Sequence, residues 1–258
     1  MPRRKISCFL IVCNEVDRIE ASIKPLAGWV DQLIVLDSGS TDGTVEIAEK
    51  YADKVYQTDW PGYGPQRNRA LGYCEHDWVM NIDADEVVTE ALKSEIDIEM
   101  SNPNLNVTML EIPWHTYLFG KPLKRGRYSS PQGKIFLKTG ANFKDRSVHE
   151  SLEMPVKTIK VLNTPLLHYS WRDYYHAQEK HLKYAVLGAQ EKFKKGKTTS
   201  LSFAVLRFFM DFLQQYIFRL GFLDGKRGFL MAIILGQYAF HKYAALWALN
   251  QQDTDHKE

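Results

Sequence analysis

The sequence predicts an α/β protein: a doubly wound, mostly parallel sheet with flanking helices, followed by a C-terminal helical region. Three observations predict it. Apolar runs of strand length alternate with helix-compatible stretches through the first hundred residues. The runs ISCFLIVC and QLIVLD are apolar without interruption, as strands covered on both faces are. Polar residues stand at the carboxyl ends of these runs, where open α/β sheets place their ligands.

The elements follow in order. ISCFLIVC is the first strand. A stretch around Asp17 to Leu26 suits a helix. QLIVLD, 32 to 37, is the second strand, and the turn-rich SGSTDGT follows it. Thr41 or Asp42 can cap the next helix, whose apolar face is Val45, Ala48 and Ala52. KVYQT is a short third strand, PQRNRALGY a helix and DWVMNID a fourth strand. Asn14, Asp37 and Asp83 then meet at one crevice. After about residue 100 the pattern changes. TMLEIPW, KIFLK and VLNTPLLHYS suit strands, and the chain is helical again from about 172.

The chain has 258 residues, 45% of them hydrophobic, enough for one large domain or two small ones. Lys and Arg number 33 against 31 Asp and Glu, so no global basic field argues for nucleic acid. Cys8, Cys13 and Cys74 make neither a disulfide framework nor a zinc spacing, which points to a reducing, cytoplasmic compartment. The basic start and apolar run of MPRRKISCFLIVCNE suit a buried strand better than a signal peptide. Residues 228 to 249 come nearest to a membrane span, but Gln237, His241 and Lys242 interrupt them.

Six stretches carry chemistry. In VLDSGSTDGT, 35 to 44, a strand end leads through a small-residue loop to a helix N-terminus. That suits a phosphate, with Asp37 accepting from a base or ribose; an ordinary capped turn fits as well. NIDADE, 81 to 86, crowds Asp83, Asp85 and Glu86 together. Acids this close raise each other's pKa unless a positive charge sits among them. Mg²⁺ or Mn²⁺ is the candidate for that charge, and a solvated turn is the alternative. In QRNRA, either Arg67 or Arg69 can reach a diphosphate or face water. In DRSVHE, Glu150 suits a general base, with His149 orienting it or touching the metal. His168, in LLHYSWRD, is a core histidine or a third metal ligand. HTYLFGKPLKRGRY, 115 to 128, interleaves four basic residues with aromatics: a lid over an anionic acceptor, or a solvated loop.

The run of NE (Asn14, Glu15), LDSGSTDGT, QRNRA and NIDADE closely resembles the family 2 glycosyltransferases, which have the Rossmann-like GT-A fold. The match covers about the first 100 residues. DRSVHE, LLHYSWRD and LGFLDGKRGF resemble more narrowly the bacterial lipopolysaccharide core β-glucosyltransferases. The resemblance implies residues 1–100 as the nucleotide-sugar half and 101–190 as the acceptor half of one GT-A domain, which leaves 191–258 as a helical segment able to associate with a membrane on the grounds given below. It implies inverting, metal-assisted transfer of a hexose, glucose foremost, from a UDP-sugar to an inner-core sugar. Asn14, Glu15, Asp37, Ser38, Arg67 and Asp83 would hold the donor; Asp85, Asp83 and His168 the metal. Glu150 would be the base, beside His149 and with Glu86 as its rival, because the family's Glu-Asp pair is missing from that region.

The C-terminal stretch LSFAVLRFFMDFLQQYIFRLGFL suits a helix. Leu201, Val205, Phe208, Phe212 and Tyr216 would line its apolar side, with Arg207 and Asp211 at ion-pair spacing. Basic EKFKKGK precedes it, and such pairs of features suit the inner face of an anionic membrane, or else a packed hairpin or dimer. Two other functions compete: a non-catalytic sugar-nucleotide binder or assembly subunit, and a phosphatase using DADEV as nucleophile motif.

Overall fold

The computed structural model describes residues 2–144 and 151–255. The chain divides into two compact units, residues 1–115 with 131–169, and 116–130 with 170–258.

The first unit opens with β1 (Ile6–Val12), α1 (Ile19–Ile23), β2 (Gln32–Asp37), α2 (Thr44–Ala48), β3 (Lys54–Gln57), α3 (Tyr63–Tyr73) and β4 (Trp78–Asn81). These strands lie side by side in the order β3-β2-β1-β4, all parallel. The chain continues through β5 (Glu86–Val87), α4 (Glu90–Ser101) and β6 (Met109–Leu118), whose last three residues belong to the second unit. There β7 (Lys121–Pro122) pairs with the end of β6. Back in the first unit come β8 (Pro131–Leu137), β9 (Asn142–Lys144), β10 (Ser151–Glu153), β11 (Ile159–Val161) and β12 (Leu166–His168). β8 joins β4 antiparallel and β6 joins β8 antiparallel, while β12 pairs antiparallel with β5. The sheet is therefore parallel in its first half and mixed beyond β4.

The continuous apolar runs have a plain cause. Successive strand residues point to opposite faces, and both faces are covered. Ile6, Cys8, Leu10 and Val12 pack with Ile19 and Ile23 of α1 and with Leu92, Ile96 and Met100 of α4. Phe9 and Ile11 pack with Ala70 and Leu71 of α3 and with Phe136 and Phe143. Side chains on both parities of β1 are buried, so no polar alternation is visible in the sequence.

The sequence reading places these strands and helices within a few residues, with two local differences. Gly43, at φ +93°, precedes α2 in place of Thr41 or Asp42. Asp42 still serves that helix from one position upstream, accepting the Thr44 N–H at 3.1 Å. β4 stops at Asn81, two residues short of the expected DWVMNID, so Ile82 to Asp85 form a turn between it and β5, which opens at Glu86.

The second unit adds α5 (Tyr174–Lys194), α6 (Leu201–Leu213) and α7 (Gly225–Asp255). A π-helical turn (Gln214–Phe218) and a 3₁₀ turn (Gly221–Asp224) join the last two. Asp173 caps α5 by accepting the His176 N–H at 2.7 Å, and Ser200 caps α6 through the Phe203 N–H at 3.1 Å. Leu118, Leu123, Trp171, Ala177, Met231 and Ile234 form its core. The apolar face expected for α6 is half right. Phe208, Phe212 and Tyr216 stack in line, with ring centroids 6.5 and 5.5 Å apart. Leu201 and Val205, in contrast, are exposed. Ala204 takes the buried place, because α6 meets α7 closely there and Gly236 has Phe208 against its backbone. Among the described residues no helix is long and apolar enough to cross a membrane.

Candidate active site

All the groups below belong to the first unit. Because β1, β2 and β4 are adjacent and parallel, the loops after them emerge at one end of the sheet. Val12 stands in register with Asp37, and Phe9 with Asn81, so the three strand ends differ by only a few residues.

The loops after β1 and β2 are braced against each other. Asn14 sits at φ +55° and donates its N–H to Ser40 Oγ at 2.8 Å. Its side-chain oxygen accepts the Thr41 N–H at 2.9 Å. Glu15 N–H reaches Thr44 Oγ1 at 2.8 Å. Asp37 is buried and accepts the N–H groups of Gly39 and Ser40, each at 2.9 Å, as well as the Ser40 hydroxyl. A carboxylate offers about four lone-pair sites, so roughly one remains to accept from a base or a ribose hydroxyl. Ser38 is fixed by Gln66, whose buried amide donates to Ser38 Oγ and Thr58 Oγ1, both at 2.8 Å. The bonds that order this turn and the acceptor that could meet a nucleotide come from the same side chain.

The acids of NIDADE have positive partners within the chain. Lys134, buried on β8, donates to Glu86 Oε2 at 2.7 Å and to Asp83 Oδ2 at 3.1 Å. Arg67 donates to the other oxygen of Asp83 at 2.8 Å, with its guanidinium 5.8 Å over the Phe143 ring. Trp114 donates its indole N–H to Glu86 Oε1 at 2.7 Å. Burial would raise the Asp83 pKa, but Arg67 and Lys134 outweigh it and hold the carboxyl below its ordinary range. Burial would likewise lower Lys134, but Asp83 and Glu86 outweigh it and raise its ammonium. Glu86 is fully buried, and burial pushes its carboxyl up against the pull of Lys134.

Asp85 faces other partners. His168 Nε2 stands 3.6 Å from its Oδ2, and Arg18 Nη1 stands 3.8 Å away. The β5–β12 pairing sets this meeting: His168 is in register with Glu86, and the Tyr169 N–H donates to the Asp85 carbonyl at 2.7 Å. Trp114 stacks on His168 with centroids 4.3 Å apart. Arg18 also donates to the Glu15 carboxylate, which ties the loop after β1 to the acidic turn.

Do these residues fit a divalent metal? Among the described residues no three His, Cys, Asp or Glu side chains converge to hold an ion unaided. Mg²⁺ commonly binds through one or two carboxylates and takes its remaining ligands from phosphate and water. Asp85 fits that pattern as its one carboxylate, and His168 adds an imidazole, a softer ligand than Mg²⁺ usually takes. Both oxygens of Asp83 are engaged by cations of the chain.

The structure thus brings together Asn14, Glu15, Asp37 and Ser38 in one braced loop pair, and Arg67 with Asp83, and Asp85 with His168. Arg69 goes elsewhere, to Asp59 at 2.7 Å. His149 and Glu150, the expected catalytic pair, lie outside the described residues. Sequence reasoning missed Lys134, Trp114 and Arg18. One signal for Lys134 was available: it stands in the strand-like GKIFL, and a lysine in a buried strand implies a carboxylate partner.

Comparison with known proteins agrees with this architecture. The family model described as glycosyl transferase family 2 matches residues 7–153. An uncharacterized glycosyltransferase of Rickettsia bellii is 30% identical over 96% of this chain and 88% of its own. A lipopolysaccharide core biosynthesis glycosyltransferase of Rhizobium meliloti, LpsC, is 27% identical over 96% and 93%. Among solved structures, a mycobacterial protein is similar over 76% of each chain, with a TM-score of 0.50 and 20% identity, a likeness of fold alone.

Proposed function

The chain belongs to glycosyl transferase family 2, and we propose that it moves a hexose, glucose foremost, from a UDP-sugar to an inner-core sugar of lipopolysaccharide at the inner face of the cytoplasmic membrane. The observation that carries this is the Asp85–His168 pair, 3.6 Å apart beside the braced loop that holds Asp37. One region thereby offers a nucleoside acceptor and a pair of donors suited to a divalent cation. The saccharide acceptor is supported by the similarity to LpsC.

Each residue then has a role. Asp37 accepts from the uridine or ribose, and Ser38, Asn14 and Glu15 hold the loop that presents it. Asp83 stays on the ribose side, oriented by Arg67 and Lys134. Asp85 and His168 would hold Mg²⁺ or Mn²⁺, which when bound supplies positive charge against the departing diphosphate. Glu150 takes the proton of the attacking acceptor hydroxyl, with His149 beside it. Displacement in a single step inverts the anomeric carbon. Glu86 is a poor rival as base in the arrangement described: it is fully buried and held by Lys134 and Trp114.

The test is nucleotide release from UDP-, GDP- and ADP-sugars with and without Mn²⁺, first in water and then with lipopolysaccharide core as acceptor. We expect one UDP-hexose to turn over only with metal, and faster with acceptor. Asp85→Asn is expected to lower kcat/KM by about 100-fold or more, since even outer-shell changes at metal sites cost 10–100-fold. UDP binding without turnover of any donor would overturn transfer and favour a binding subunit. Free phosphate without sugar transfer would favour a phosphatase.

A further inference from the structure

Within the second unit, α6 and the turns after it leave an apolar surface uncovered. Phe203, Leu206, Met210, Leu213 and Ile217 are spaced three and four apart, which puts them on one side of a helix. All five are exposed. Beyond the helix, Phe218, which is 78% exposed, and then Leu220, Phe222 and Leu223 are exposed as well. A contiguous apolar surface of this kind marks an interaction site.

An open cleft adjoins the end of the stripe. Lys124, Arg125, Ser129, Phe218, Arg219 and Leu220 line it. The cleft is built, not incidental. Buried Gln215, in the π-helical turn, accepts the Arg127 N–H at 3.0 Å. It lies so close to Gly126, at φ +89°, that a Cβ there would fall 1.8 Å from its amide nitrogen. Asp224 accepts the N–H groups of Lys124 and Arg125 at 3.2 and 2.9 Å. Leu220 is held at φ +57°, an unusual conformation for a bulky residue.

The charges around it are one-sided. Residues 201 to 229 contain two carboxylates. Asp211 pairs with Arg207 at 2.6 Å, and Asp224 is engaged by the backbone of the cleft. No carboxylate among the described residues lies at ion-pair distance from Lys124, Arg125 or Arg219. An apolar stripe ending in such a cationic cleft complements an anionic lipid interface, with side chains among the acyl chains and a phosphate in the cleft. A second copy of the chain would bring the same uncompensated cations to an isologous contact, with nothing anionic to answer them.

We propose that this face docks on an anionic phospholipid surface, the Lys124–Arg125–Arg219 cleft taking a lipid phosphate and the α6 stripe entering the apolar boundary. The inference deepens the membrane-borne acceptor of the preceding section and rests on that reading for its role. The test is co-sedimentation of the full chain with phosphatidylcholine vesicles, with and without phosphatidylglycerol. Binding is expected to the anionic vesicles and to weaken with salt. K124Q/R125Q/R219Q is expected to weaken it on the order of 100-fold, from about fivefold per cation. M210E/L213E, on exposed positions, is expected to abolish it while leaving the unfolding midpoint near wild type.

Equal binding to neutral vesicles, or none to either, would overturn the proposal. So would a dimer in sedimentation velocity that M210E/L213E breaks. The salt response of the wild type decides the matter should a variant fail to fold. Titration with UDP reads the donor site separately, so loss of one inference leaves the other standing.

Discussion

Two groups of charges in this protein are treated in opposite ways. In the first unit, Asp83 and Glu86 are answered by Lys134 and Arg67 at 2.7–3.1 Å, mostly out of water. In the second, Lys124, Arg125 and Arg219 line an open cleft beside exposed phenylalanine and leucine. The difference teaches how to read a charged cluster. Charges closed within the chain hold a site in shape, and removing one leaves its partner stranded. Charges left open belong to something that arrives.

The comparison can be broken by stability measurements. The largest effect is expected for Lys134→Met, which strands fully buried Glu86. Breaking a buried pair from one side costs about 3–5 kcal/mol, read as a lower midpoint in denaturant. The sign of its pH dependence follows. Glu86, with its pKa already raised by burial, would rise further without Lys134. The variant is therefore expected to recover part of its loss as pH falls towards the protonation of Glu86. A deficit constant with pH would sink the account of Lys134 as counter-ion.

In the wild type Asp83 and Lys134 act at opposite ends of the scale. Asp83, held low, contributes stability present above its unfolded value and lost as pH falls through its folded one. Lys134, held high, contributes stability present below its unfolded value and lost as pH rises through its folded one. Wild-type stability is expected to decline at both extremes, and Lys134→Met to lack the alkaline limb.

Glu86→Gln is expected to cost less, about 1–3 kcal/mol. Lys134 keeps Asp83, and the new amide oxygen can still accept from Trp114. If this variant matched Lys134→Met, the cluster would depend on shape and not on charge balance. The smallest effect belongs to Arg207→Ala in the second unit. Its i,i+4 pair with Asp211 is partly solvated and of a kind that contributes about 0.3–0.5 kcal/mol. A loss comparable with that of Lys134→Met would erase the distinction between the regions.

Much of this was legible in the sequence, for identifiable reasons. β1, β2 and β4 announced themselves because burial on both faces makes a strand largely apolar, whereas the half-exposed β3 was legible only from its place in the alternation. Asp37 and the acidic turn were legible because short motifs at strand ends report local backbone geometry. Lys134 was not, since it reaches Asp83 and Glu86 across 51 and 48 residues of sequence and spacing carries no trace of that. Asp85 and His168 were expected at one metal, although spacing alone could not bring them together, since their meeting depends on the pairing of two- and three-residue strands. In α6, apolar residues occur nearly all round the helix. Periodicity alone could not choose between the line through Ala204 and the one through Leu201.

The mutual bracing of Asn14 with Ser40 and Thr41 has a consequence for kinetics. A loop that must be ordered by its ligand adds an entropic penalty to every encounter and often a slow step after it. Here the two segments already immobilise each other, with Asn14 fixed in a left-handed conformation. Nucleotide association is expected to be one fast phase whose rate rises linearly with concentration. Cutting the brace with Asn14→Ala would then appear first as a hyperbolic dependence, the mark of a conformational step that the native pair has already completed.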